Sequence, residues 1–265
     1  MRRGFRRDRS SGLLLPARLA KPRLELYDDY SWSAPGGESP PAGPIEAFGL
    51  TSGASDTNAT SYVTASITPT ANRLVLLSIE MALPADSADP PPPSSITGCG
   101  LTWVLVNSRY HWPSGANWFN QALVYRALGA SPTTGAITMD WGATTLDTCA
   151  WSVVEFSNID TSGSNGSGAI VQSVAEFGTG TAALATLAAF SAANNATFGA
   201  TGSGQGASTI TATAGSGFAE VHDAGAIFGS IHTEFRNDND TTVDATLSVS
   251  SDGWGVIAIE LKRAA

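Results

Sequence analysis

The chain has 265 residues, 42% of them hydrophobic and only 14% charged, which is enough apolar material for one large or two small cores and excludes disorder throughout. Its formal charge of −9 is unevenly divided, because residues 1–23 hold eight of the fourteen basic residues against the single acid Asp8, a net +7, and leave −16 on the remainder. No run reaches the roughly 20 apolar residues of a membrane helix, and Leu13-Leu14-Leu15 is ended by Pro16 before it attains the about 7–15 residues of a secretory h-region.

The first predicted element is an extended basic arm with a Pro/Gly linker over residues 1–44, the linker reading SWSAPGGESPPAGP from Ser31 to Pro44. Proline fixes φ and glycine frees it, so neither a helix nor a β-ladder persists there. Arg2, Arg3, Arg6, Arg7, Arg9, Arg18 and Arg23 offer bidentate pairing to carboxylates, while Phe5, Leu13, Leu14, Leu15, Tyr27 and Trp32 stand between them as groups that fill pockets or add a strand to a sheet edge. Phosphate neutralisation gives a leucine triplet no role, which argues against nucleic acid as the partner and for an acidic protein surface.

Residues 45–265 read as one all-β domain. Segments rich in β-branched and aromatic residues follow one another at Ser61–Ile67, Arg73–Leu83, Leu101–Tyr110, Trp118–Leu128, Ala136–Trp141, Cys149–Phe156, Ala169–Val174, Thr209–Ala214, Ala226–Phe235, Val243–Val249 and Trp254–Leu261. Turn clusters such as WPSGAN, TSGSNGSG, GSGQG, RNDNDT and SSDG separate them. Alternation within Leu101–Tyr110 predicts apolar neighbours on both faces; in Trp254–Leu261 it sets Trp254, Val256, Ala258 and Glu260 against Ile257, Ile259 and Leu261. Only Thr179–Ala193 lets a helix compete. The expected architecture is a two-sheet β-sandwich, jelly-roll-like, carrying the arm at its N-terminus.

Little in the body points to chemistry. His111, His222 and His232 fall in no close metal-ligand spacing, and Gly202-Ser203-Gly204-Gln205-Gly206 reads as a flexible loop, neither a nucleophile elbow nor a phosphate loop. Glu80, Asp140, Glu155, Glu220 and Glu234 lie in or beside predicted strands, where acids mark the solvated face of a sheet. The oxygen-rich Asn237–Asp240 loop lacks the glycine and distal glutamate of an EF-hand and is explained as a turn. Cys99 and Cys149 are expected to be free thiols, with Cys149 buried. No catalytic, metal or cofactor-binding residue is assigned. A surface contact with glycans is considered for Tyr110, His111, Trp112 and Trp118, whose rings would stack on sugar faces.

The ordered series ITGCGLTWVLV, NQALVYRALG, GAITMDWG, WSVVEFSNIDTSG, GFAEVHDAG and DGWGVIAIELK resembles a recurrent β-sandwich module of tailed-phage virion proteins, over roughly Arg73 to Lys262. The resemblance implies a non-enzymatic structural role as a capsid decoration or cement protein on the outer surface of the shell. The long basic leader is then the anchor to the major capsid protein or another virion protein. Homo-oligomerisation, with a trimer favoured, follows by the same analogy, and no membrane partner is expected. The competing expectation is a carbohydrate- or receptor-binding module of a tail fibre or bacterial surface protein.

Overall fold

The computed structural model describes residues 43–84, 91–111, 118–204 and 209–265, so the arm residues named above, Arg2 to Trp32, lie outside the described residues. Fourteen strands and one short 3₁₀ turn at Ser167–Ala169 make up the described regular structure. No helix among them is long and apolar enough to cross a membrane. Where a helix competed over Thr179–Ala193, residues 179–186 belong to the strand β9 (Ile170–Thr186) and residues 187–193 are irregular.

Sheet I takes β1 (Glu46–Ser55), β3 (Leu74–Pro84), β5 (Val104–His111), β6 (Trp118–Ala127) and β8 (Thr148–Ser157) in the antiparallel order β1-β8-β3-β6-β5. Sheet II takes β10 (Ala196–Gly204), β11 (Ala212–Ala214), β12 (Ala219–Gly225), β13 (Ser230–Arg236) and β14 (Thr242–Leu261) in the order β11-β14-β10-β13-β12, with β9 also paired to β14. Sheet III is the small set β2 (Ser61–Val63), β7 (Ile137–Asp140) and β4 (Ser95–Gly98), ordered β2-β7-β4.

The period of two decides the layering. On β3, Leu74 and Leu76 enter the core shared with sheet II, while Val75, Leu77, Ile79, Met81 and Leu83 enter the core beneath sheet III. β8 divides likewise, Val154 and Phe156 to one side and Cys149, Trp151 and Val153 to the other. The central strands of sheet I are thus covered on both faces, which is why β8 is buried along nearly its whole length. β5 sits at the sheet edge: Val106 reaches the core shared with sheet II and Trp103, just before the strand, the core beneath sheet III, but Leu105 stays 42% exposed.

Sheets I and II face each other. Phe156 meets Phe198 edge-on at 5.5 Å between ring centres and Phe235 at 5.7 Å, with Ile257, Ile259 and Leu261 of β14 completing this apolar layer. Each such side chain contributes about 1.5–3 kcal/mol by leaving water. The opposite face of β14 carries Trp254, Val256 and Ala258 into a third core with Ala183, Ala185, Val243 and Leu247, as the alternation of the sequence requires.

Sheet II curls nearly shut around that third core. The first part of β14 pairs with β11 and the last part with β10, and β11 closes toward its far edge through side chains: Ala212 N–H donates to Asp223 Oδ2 at 3.0 Å and the following Gly215 N–H donates to Glu234 Oε2 at 2.8 Å. The expected turn at SSDG is instead a pair of register shifts at Ser251 and Trp254, through which β14 continues as one strand. Gly202–Gly204, expected as a loop, is the end of β10.

Candidate functional site

The layer between sheets I and II is apolar at one end and polar at the other. Beyond Leu76 on the inward face of β3 come Ser78 and Glu80, and beyond Ala122 on β6 comes Asn120. Glu80 and His111 are both fully withdrawn from solvent, with His111 Nε2 3.0 Å from Oε1 and 3.2 Å from Oε2 of the carboxylate. Asn120 Nδ2 donates to Glu80 Oε1 at 2.9 Å and to the Phe228 carbonyl at 2.7 Å, tying sheet I to the β12–β13 connection. Sheet II makes room with glycine: a Cβ at Gly202 would stand 2.0 Å from Glu80 Oε2, and one at Gly204 2.7 Å from Asn120 Nδ2.

Between the two ends, Ser152 Oγ bridges His222 Nδ1 and Thr233 Oγ1, each at 2.9 Å. Burial holds the His222 imidazole below its ordinary pKa. Ser152 itself is fully buried, so this serine–histidine pair fastens two sheets and does not present a nucleophile to solvent.

A second polar group occupies the inner face of the curled sheet II. His232 (2% exposed) and Glu234 (0%) alternate on β13, and Glu220 and Asp223 face them from β12. One donor atom from each of Glu220, Asp223 and His232 lies within 4.8 Å of the others. Burial raises the Asp223 carboxyl above its usual range, a rise opposed by the Ala212 N–H and by His232 and reinforced by Glu220. Among the described residues this is the set able to hold a metal ion; sequence spacing did not reveal it.

The residues singled out from sequence separate into different places. His111 is buried on Glu80, not offered to a glycan, whereas Tyr110 is half-buried on the same strand. Trp118 opens β6, and Trp112 lies outside the described residues. Glu80, Glu155 and Glu234 do not mark a solvated face: all three are buried, because both faces of their strands are covered. Glu155 binds Arg73 at 2.8 Å, and Asp140 Oδ1 accepts from Gly142 N–H at 2.8 Å in a turn. Arg236 ties Asp238 and Asp240 together at 2.6 and 2.7 Å, which accounts for the Asn237–Asp240 loop. Cys99 and Cys149 are buried free thiols.

Comparison with family models, with curated proteins and with solved structures finds no match to this chain.

Proposed function

We propose that the protein is a non-enzymatic structural component of a phage virion, a capsid decoration or cement protein whose β-body sits on the outer surface of the shell and whose residues 1–44 form the anchoring arm. The observation that carries this reading is the charge partition of the chain, +7 on residues 1–23 against −16 on the rest. An arm of that sign is steered toward an acidic neighbour, and its interleaved Phe5, Leu13–Leu15, Tyr27 and Trp32 supply the apolar contacts that hold it after encounter. The resemblance of the body's segments to tailed-phage modules supports the same role. So does the use of Asn120, Ser152 and His222 as fasteners between sheets, a use suited to a rigid building block.

The jelly-roll comparison is kept at the level of two facing antiparallel sheets, since sheet I is gathered from residues 46–157 and sheet II from residues 170–261. A trimer belongs to the same proposal, by analogy with β-proteins seated on the local symmetry axes of shells. Leu105, Val171 and Phe177, exposed by 42, 38 and 55% on β5 and β9, are described apolar surface that such a contact would cover.

The test is deletion of residues 1–44. The shortened chain is expected to remain folded and to be lost from purified particles, in which the full chain is present at hundreds of copies; the full chain is expected to bind DNA weakly at physiological salt. Retained attachment, tight salt-sensitive DNA binding or tight glycan binding by the body overturns the reading, and a particle map with isolated copies away from any symmetry axis overturns the trimer.

A further inference from the structure

Strict alternation along Glu220-Val221-His222-Asp223 would set Glu220 and His222 on one face of β12 and Val221 and Asp223 on the other. The register forbids this. Glu220 lies opposite Glu234, but His222, not Val221, lies opposite Thr233, so one extra residue is inserted at Val221. A bulge of this kind inverts the alternation beyond it. Asp223 therefore joins Glu220, His232 and Glu234 on the inner face of sheet II, and His222 goes to the other face, where it meets Ser152.

The result is three carboxylates around one imidazole. His232 is 2% exposed and neither of its ring nitrogens has a hydrogen-bond partner. Its Nδ1 stands 4.0 Å from Glu220 Oε2 and its Nε2 3.8 Å from Glu234 Oε2. Glu234 is pinned by the Gly215 N–H through Oε2 and keeps a buried, unpartnered Oε1. Burial has stripped water from these atoms without replacing the lost bonds, and the carboxylates repel one another; a dication relieves both costs.

The geometry points to a binding site for a divalent first-row transition-metal ion, ligated by Glu220, Asp223 and Nδ1 of His232, with Glu234 accepting the Nε2–H. Oxygen and imidazole donors without thiolate suit Zn²⁺ or Mn²⁺, whereas Ca²⁺ asks for six to eight oxygens. Bonds of about 2.0–2.2 Å draw such donors somewhat closer than the present 4.8 Å limit, a movement available to Glu220, whose side chain is 49% exposed and also marks the path of entry. Glu234 serves as the outer carboxylate that fixes the tautomer and orientation of the ligating ring. The site does not depend on the virion reading.

Full-length protein dialysed against a chelator and titrated calorimetrically with Zn²⁺ and with Mn²⁺ tests it. The expected result is about one equivalent bound per chain at micromolar or better affinity for at least one ion, with an upward shift of several degrees in melting temperature at saturation. Glu220→Gln and Asp223→Asn are each expected to weaken binding at least about tenfold, and Glu234→Gln about 10–100-fold through the ring, while Glu176→Gln, elsewhere on sheet II, changes nothing. Because Glu220 is half in solvent, its variant folds even where a substitution of buried His232 does not. Binding of neither ion at micromolar concentrations, or affinity unchanged in both Glu220→Gln and Asp223→Asn, overturns the proposal.

Discussion

Glu80 and Gly202 are two halves of one fit, and each substitution has a distinct cost. Glu80→Ala leaves the His111 ring and the Asn120 amide buried without their shared acceptor, and about 3–5 kcal/mol of stability is expected to be lost in urea unfolding. Gly202→Ala drives a methyl carbon to 2.0 Å from Glu80 Oε2, a carboxylate held in place by two neighbours, and is expected to cost about 1–3 kcal/mol. With Glu80 gone the methyl has room, so the double variant is expected to lose less than the sum of the two; strict additivity in a double-mutant cycle would show that they do not touch. At Cys149, burial first and the nearby Glu80 second push the thiol well above its ordinary pKa, and burial raises Cys99. Neither cysteine is expected to react with a thiol-specific reagent until the protein is unfolded in denaturant, when both react. The sequence placed Glu80 in a predicted strand but did not show that a second sheet covers its face, so an acid destined for the interior read as a surface group.

The glycines of β10 explain why that strand was hidden. ATFGATGSG has the composition of a loop, yet Gly199, Gly202 and Gly204 are small because Val243, Glu80 and Asn120 fill the space where their side chains would stand. Strands β3, β6 and β8, whose packing partners lie within their own apolar alternation, were legible; β10 and β12 owe their form to neighbours distant in sequence. His232 and Glu234, two apart on β13, could be placed on one face by counting, whereas Glu220 and Asp223 come together only through the bulge at Val221. Deleting Val221 is expected to restore the regular ladder, turn Asp223 away and abolish metal binding while leaving β-structure by circular dichroism. Sheet III is sealed to sheet I by Tyr62 on β2 and Tyr125 on β6, and burial holds both hydroxyls at about 12 against an ordinary value of 10.0. The folded state thus favours the neutral phenols: their contribution is complete below pH 10 and is lost as pH rises through 12. Urea midpoints are expected to fall over that window, and Tyr125→Phe is expected to flatten the fall.

At the scale of the whole molecule, the all-β class was legible from many short β-rich segments without helical periodicity, but the third layer was not. β2 and β7 fall within the predicted segments Ser61–Ile67 and Ala136–Trp141, but the four-residue β4 is too short to carry a pattern, and only the pairing of β2 and β4 with β7 sets these strands apart as a sheet of their own. Which sheet each strand joins depends on ladders such as Glu46 with Ser157, which no local signal announces. If residues 1–44 act as the anchor proposed above, a chain lacking them is expected to melt within a few degrees of the full chain; a collapse of its transition would show that the arm is part of the fold. The division of the two large sheets between successive stretches of chain bears on biosynthesis. Sheet I can close its outermost ladder once Ser157 has left the ribosome, and sheet III has all its strands by then. At about 5–20 residues per second, the translation of β9 to β14 takes a further 5–20 seconds, roughly. Throughout that interval Leu74, Leu76, Val124, Val154 and Phe156 form a finished apolar face with nothing yet to lie on it. The nascent half-protein is therefore a natural client for a ribosome-associated chaperone, and synonymous codons that slow elongation after residue 157 are expected to lower the soluble yield.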